Sequence, residues 1–326
     1  MGRIEGKLVT VVGGSGFVGR HVVRALAQAG WRVRAAVRRP DLAGHLQPLG
    51  AVGQIVPVQA NVRYPASLTA ACEGAAAVIN LVAVLSPSGA QSFEALHVHG
   101  SGAVARAARE AGAQSLVHVS AIGADKQSKS DYARTKAEGE ERVRAEFAGA
   151  SIVRPSVIFG PEDDFFNRFA TLARLSPVLP LIGGGHTRLQ PVYVGDVAAA
   201  VRRLIDGTVV PGRLWELGGP EVVSLREIME LTIRIMGRTR ILMPVPWPVA
   251  VMQAAVLQLL PKPLLTLDQV ELLRSDNVVS DAAQAEGRTL AGLGITPGSM
   301  TAIVPSYLSR YRKAGQFTTT PRANGD

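Results

Sequence analysis

An α/β fold, with a doubly wound parallel sheet covered by helices on both faces, is predicted by three features of this sequence. Strand and helix patterns alternate through its first half. A glycine-rich string sits where the first strand passes into the first helix. The composition is that of a globular, core-rich chain, with 47% hydrophobic and 19% charged residues in 326, far from the low-hydrophobicity, high-charge signature of disorder.

Residues 7–12 form the first short apolar run. The string Gly13-Gly14-Ser15-Gly16-Phe17-Val18-Gly19 follows and opens an apolar-periodic helix from 17 to about 29, closed by Gly30. Residues 32–37, 55–59, 77–80, 116–120 and 152–154 read as further strands, with helical patterns near 66–72, 92–111 and 132–147. Strands joined through helices make right-handed βαβ units and a Rossmann-type parallel sheet. Within the glycine string, Gly13 allows the tight turn. Gly16 lets the backbone approach a pyrophosphate, and Gly19 lets the helix pack close to the sheet. Ser15, Phe17 and Val18 complete a helix N-terminus, which favours negative charge.

At the end of the second strand stand Arg38 and Arg39, where an acid would accept bonds from ribose hydroxyls. Two arginines suit a 2′-phosphate, so NADP(H) is the expected cofactor, with NAD(H) as the alternative. Asp41, past Pro40, reads as a cap or a surface acid.

In Ser130-Asp131-Tyr132-Ala133-Arg134-Thr135-Lys136, the tyrosine and lysine lie at i and i+4 and share a helix face. A neighbouring ammonium makes a phenol acidic enough to move a proton near neutral pH. The same pair could instead only clamp a ligand.

After about residue 160 the rhythm loosens. Residues 181–185 read as a loop, 194–206 and 224–236 as helices, with Ser224 an N-cap. The expected domains are 1–160 for the nucleotide, with later strands returning from the C-terminal half, and 161–315 as a smaller α/β lobe. A polar, disordered tail is expected over 316–326.

Residues 241–261 are uncharged throughout, flanked by Arg238, Arg240 and Lys262. Pro244, Pro246 and Pro248 break any helix in the first third. A helix over 249–260 would span about 18 Å at about 1.5 Å per residue, against a hydrocarbon core of about 30 Å. The segment is therefore expected in the protein's own core, against a partner, or at a membrane interface. The flanking cations favour an anionic membrane surface through 238–262.

Composition narrows the partners. A single cysteine, Cys72, excludes an internal disulfide and fits a reducing compartment. Six scattered histidines give no metal-ligand spacing, so no metal is expected. A formal charge of +9 points to anionic partners. Aromatics at 5% supply few stacking platforms, and no nucleic acid is expected. The start goes straight into a strand with no signal-like or Arg/Ser-rich segment.

From about residue 7 to 206 the chain resembles the extended and atypical short-chain dehydrogenases/reductases. The resemblance rests on GGSGFVG, on Asn61-Val62, on Asn80-Leu81-Val82-Ala83, on YARTK, and on Arg154-Pro155-Ser156-Val157-Ile158-Phe159-Gly160-Pro161. It implies that Asn61 and Val62 border the adenine and that Leu81, Val82 and Ala83 line the ribose and nicotinamide side. It places Pro155, Ser156 and Val157 near the nicotinamide amide. Tyr132 and Lys136 become the catalytic tyrosine and its lysine, the lysine also holding the nicotinamide ribose.

Within that family, residues 160–170, 173–198 and 267–279 are similar to the nucleotide-binding accessory subunits of respiratory complex I and their bacterial relatives. This implies a cofactor held mainly for structural or assembly purposes. The partner would be respiratory complex I or another membrane-bound protein. The location would be the bacterial cytoplasm, peripheral at the inner membrane, or the matrix side in an organelle.

Three departures from an active reductase stand out. Ser120 is present after the fifth strand, but the register of extended members puts Ala121 at the catalytic place and lets Ser120 face the cofactor. His97 stands where the family has an asparagine that supports a water path to the lysine. It reads as a relay or as a buried structural histidine. Arg168, Arg174, Arg188 and Tyr193 are candidates to bind substrate hydroxyls, though no spacing separates them from surface residues. The expected function is thus an NADP(H)-holding accessory protein. The alternative is an active reductase on a small carbonyl or quinone-like substrate, with Tyr132, Lys136 and Ser120 as its catalytic set.

Overall fold

A computed structural model describes residues 6–260 and 263–313. Along the chain lie β1 (Leu8–Val12), α1 (Phe17–Gln28), β2 (Arg32–Val37), β3 (Ile55–Gln59), α2 (Pro65–Cys72) and β4 (Ala77–Asn80). Then come α3 (Ser101–Glu110), β5 (Ser115–Val119), α4 (Asp131–Glu146), β6 (Ser151–Pro155), β7 (Ile158–Phe159), α5 (Phe166–Leu175) and β8 (Val178–Ile182). β9 (Arg188–Leu189), β10 (Val192–Tyr193), α6 (Val194–Ile205), β11 (Leu214–Leu217), β12 (Val223–Ser224) and α7 (Leu225–Ile235) follow. β13 (Ile241–Val245), α8 (Trp247–Leu257), α9 (Leu267–Leu272), α10 (Asp281–Ala285) and α11 (Met300–Leu308) complete the order.

These elements form two compact units. The first takes the chain up to Ser156, then Val194–Gly218 and Val279–Pro297; the second takes Val157–Tyr193, Gly219–Val278 and the chain from Gly298 onward.

The first unit is the expected doubly wound parallel sheet. Its seven strands run β11-β6-β5-β4-β1-β2-β3, and every pairing is parallel. The order reverses between β1 and β4, and that crevice is where such sheets take ligands. α1 and α6 pack together on one side, and α2, α3 and α4 form the other layer. Val12, Val78, Leu116 and Ile152 of the sheet pack with Leu68, Val104 and Val143 of the helices in one buried core.

Two helix ends show how the sequence sets local structure. Ser130 caps α4, its hydroxyl accepting the Ala133 N–H at 3.2 Å. α1 has no side-chain cap and no acid in its first turn. The long helix expected over 92–111 is interrupted: Glu94–Gly100 is π-helical, and α3 starts only at Ser101. The cause lies opposite, at Gly139 of α4, where an added Cβ would sit 2.1 Å from the His97 carbonyl. Two backbones meet there, and a π turn accommodates the approach.

In the second unit, Phe159, Phe166, Leu179, Leu181, Ile228, Met229 and Val304 make a core of their own. Ser224 caps α7 in a reciprocal box with Glu227. The loop expected at 181–185 begins inside β8. The proline-rich stretch forms β13, paired in parallel with β8, and α8 starts at Trp247 rather than 249. Pro244 is tolerated because β13 is the edge of a two-stranded sheet, and Pro248 because it lies in a helix's first turn. No helix among the described residues is long and apolar enough to cross a membrane. The expected tail at 316–326, and Pro261 and Lys262, lie outside the described residues.

Candidate functional site

The site forms at the C-terminal ends of β1 and β4. Gly13 turns with φ of 87° and donates its N–H to the Ala36 carbonyl at 2.9 Å. Leu81 N–H in turn reaches the Val12 carbonyl at 3.0 Å, which draws the chain after β4 against the glycine turn. A Cβ on Gly13 would lie 3.3 Å from Val82 Cγ2. At Gly19 a Cβ would stand 2.3 Å from the Gly13 carbonyl oxygen, so α1 can start this close to β1 only with glycine. Ser15, Gly16, Phe17 and Val18 therefore present an uncapped helix N-terminus beside Leu81, Val82 and the exposed Ala83.

This cradle fits a dinucleotide pyrophosphate, which takes its hydrogen bonds from such backbone N–H groups. A second fitting feature is the buried Ser120 hydroxyl, which has no hydrogen-bond partner among the described residues. A bound reduced nicotinamide would supply a hydride.

The other predicted residues divide. Asn61 holds a turn, its Oδ1 accepting the Arg63 N–H at 3.1 Å. Val62 is buried and belongs to the core. Pro155 ends β6, Ser156 N–H bonds the Leu217 carbonyl at 2.9 Å, and Val157 opens the second unit. Arg38 is exposed and donates to Gln91 Oε1 at 2.6 Å. Arg39 is taken by Asp41, with Nε–Oδ1 at 3.0 Å and Nη2–Oδ2 at 2.7 Å. Asp41 is therefore an ion-pair partner of Arg39, whereas the hydrogen bond of Arg38 goes to a neutral amide.

Tyr132 and Lys136 lie on α4 one turn apart. The Tyr132 ring meets Phe93 and His97 edge-on, with centroids 5.9 and 5.4 Å away. Lys136 is buried, and its Nζ donates to the Val119 carbonyl at 2.8 Å, at the end of the strand that leads to Ser120. Burial brings the ammonium down to about 8, opposed by the Glu140 carboxylate one turn on. A lysine near 8 can take or release a proton at neutral pH, and Ser120 offers a hydroxyl on the same strand end.

That shift predicts a pH effect. The unfolded lysine keeps its proton to about 10.5, while the folded one loses it near 8. The folded state binds fewer protons in that window, so stability should rise with pH across it. Burial pushes Cys72 the other way, from 9.0 to about 11, so its contribution falls over that higher range. In urea unfolding, wild type and Lys136→Met share the effect of the cysteine. The rising slope should be absent from the variant, and equal slopes would contradict a depressed lysine.

Ser101, His118 and Thr135, which the sequence reading passed over, make polar contacts with Asn80 and His97, which it named. Asn80 Oδ1 accepts the Val82 N–H at 3.1 Å, and its amide contacts Ser101 Oγ at 3.3 Å and His118 Nδ1 at 3.1 Å. Thr135 meets His97. Burial, and then Lys136, holds His97 down to about 3, so it does not carry a proton as an imidazolium near neutral pH. Among the described residues no group of three or more His, Cys, Asp or Glu could hold a metal ion.

Comparison with known proteins agrees with this geometry. The NAD dependent epimerase/dehydratase family model matches residues 9–218. The chain is 35% identical to NADH dehydrogenase (ubiquinone) 1 alpha subcomplex subunit 9 of Arabidopsis thaliana, covering 96% of this chain and 80% of that one. It is 33% identical to the ceramide reductase of Caulobacter vibrioides, over 86% of this chain and 88% of the other. An NADPH-dependent quinone oxidoreductase of Escherichia coli, solved with NADPH, has the same fold at a TM-score of 0.72 and 19% identity, covering 92% and 99%. On the family match and the glycine cradle together, this chain belongs to the NAD dependent epimerase/dehydratase family.

Proposed function

We propose that the protein is an NADP(H)-holding accessory protein of the complex I kind, with little or no turnover. The observation that carries this is the reach of the likeness. The family model ends at residue 218, while the similarity to the Arabidopsis complex I subunit takes in 96% of this chain, against 86% for the ceramide reductase. In this reading the glycine turn and the α1 N-terminus bind the pyrophosphate, Lys136 clamps the nicotinamide ribose, and Arg38 favours a 2′-phosphate. Equilibrium titration should find NADPH bound more tightly than NADH. Arg38→Ala should weaken NADPH alone, by about tenfold, as loss of one charge-assisted contact implies. Arg39→Ala should matter less, because Asp41 already occupies that guanidinium. NADH binding as tight as NADPH, or an indifferent Arg38→Ala, would contradict the preference.

A peripheral membrane location goes with this role, at the bacterial inner membrane or on the matrix side. Its support is α8. Only Ala250 and Ala254 of that helix are buried, while Met252 and Val256 are 64% and 65% exposed and Leu259, just beyond, 81%. Arg238 and Arg240 precede this apolar surface, and the Arg274 guanidinium lies 4.9 Å from the Trp247 ring centroid. Apolar surface with neighbouring cations suits an anionic lipid face. Flotation with vesicles containing anionic lipid should retain the protein, and Met252→Glu with Val256→Glu should release it. Co-migration with a large respiratory complex on native gels of source membranes is the companion result.

The second reading, an active reductase on a small carbonyl or quinone-like substrate, is favoured by the buried Ser120 hydroxyl, one residue past the Val119 carbonyl that Lys136 holds. Steady NADPH oxidation with such a panel, abolished by Tyr132→Phe, would establish it and displace the accessory role.

A further inference from the structure

His97 is buried at the π turn and touches three segments of the first unit. Its Nε2 accepts the Val84 backbone N–H at 3.2 Å, just past Leu81–Ala83. Its Nδ1 lies 3.1 Å from Thr135 Oγ1 on α4. The ring stacks on Phe93, centroids 5.2 Å apart, and meets Tyr132 edge-on.

These contacts fix where the ring's proton sits. The Thr135 hydroxyl proton is directed to the Asp131 carbonyl at 2.7 Å, with the Tyr132 carbonyl at 3.2 Å. The threonine oxygen is then left to accept, so His97 Nδ1 carries the hydrogen. Nε2 must be bare, because a backbone N–H points at it. An imidazolium would set a second N–H against Val84 and leave a buried donor without an acceptor. The titratable groups about the ring are Tyr132, in edge-on contact, His118 on β5, on which His97 acts, and Lys136 on α4, whose charge acts on His97 and opposes a second cation there.

We propose that His97 is a positioning residue: a neutral, Nδ1-protonated strut that ties the loop after β4 to the helix carrying Tyr132 and Lys136. The chain after β4 carries no regular strand or helix from Leu81 to Val84. Asn80 fixes its near end through Val82, and His97 fixes its far end through Val84. The loop's distance from the catalytic pair is thereby set by one ring. The consequence for the nucleotide rests on the dinucleotide reading above; the strut itself does not.

Nitrogen-15 NMR of the full chain labelled at histidine tests the strut in the wild type. His97 should show the Nδ1–H tautomer and no titration from about pH 5.5 to about 8. The Nε2–H tautomer, or an imidazolium at the acid end, would overturn the proposal. His97→Phe keeps an aromatic ring and removes both hydrogen bonds. In that variant the Val84 amide should exchange faster with solvent, and NADPH should bind about tenfold more weakly. His99→Asn, on the exposed residue that pairs with Glu94, serves as the control and should change neither. A folded His97→Phe with unchanged Val84 protection overturns the strut. If the wild type fails to bind NADPH, the cofactor reading falls, while the tautomer and the Val84 exchange still decide the strut. If His97→Phe does not fold, the tautomer decides alone.

Discussion

Gly19→Ala should abolish NADPH binding and destabilise the first unit, the largest effect expected from one methyl group in this protein. The new carbon would stand 2.3 Å from the Gly13 carbonyl oxygen and 2.7 Å from the Gly14 carbonyl. Neither is the tip of a flexible side chain, so α1 must move away from β1. The Gly13 turn is held by its bond to Ala36 and cannot follow freely. Overpacking of this kind costs about 1–3 kcal/mol, and more where backbone is the obstacle. The displaced helix also carries the N–H groups that would meet the pyrophosphate, so affinity should fall by about a hundredfold or more. Gly16→Ala separates the two effects. There the carbon would find only the Gly13 carbonyl at 3.5 Å, an ordinary contact. Stability should stay within about 0.5 kcal/mol, while binding falls because the pyrophosphate needs that approach. Thermal unfolding and NADPH fluorescence titration read both quantities. Wild-type affinity and melting in Gly19→Ala would refute the cradle.

The second large effect is expected at Arg154. Its guanidinium grips Glu140 with two parallel bonds, Nε–Oε1 and Nη2–Oε2, each 2.8 Å. The carboxylate is almost fully enclosed, and the guanidinium largely so. Removing the arginine leaves a buried anion, with Lys136 one turn back on α4 acting on it less directly. Breaking a buried pair from one side costs about 3–5 kcal/mol. Arg154→Ala should lose that much in urea unfolding. Replacing both members, as Glu140→Met with Arg154→Met, should recover most of it, because desolvation of two charges is avoided together. A loss below about 1 kcal/mol in Arg154→Ala would show that the pair behaves like an exposed one.

How far the sequence speaks for the structure differs from place to place. β3 and β4 fall on the residues expected because they are short apolar runs, β3 set between Gln54 and Asn61 and β4 following the Glu73-Gly74 turn, and the glycine string marks the first βα turn by sterics alone. The second unit is harder to read. β7 and β10 are two residues long and carry no periodicity, and β13 is made of a stretch that prolines would exclude from any central strand. The candidate site was legible where one segment holds it, as at Tyr132 and Lys136. The polar groups behind it were not. Asn80 with His118, and His97 with Thr135, each pair across thirty-eight positions, a separation that local pattern does not encode. The ion pair that occupies Arg39 is the opposite case: Asp41 is two residues away, and its effect on the expected 2′-phosphate contact follows from the sequence once the turn at Pro40 is known.

The first unit's threading through the chain has a consequence for biosynthesis. α6, which packs on α1, and β11, the sheet's edge strand, arrive after residue 193, and Val279–Pro297 arrives later still. A ribosome must therefore release nearly the whole chain before the nucleotide unit can close, and the nascent sheet waits with β6 as an unpaired edge. Such an edge is open to pairing with other chains until β11 arrives to cover it.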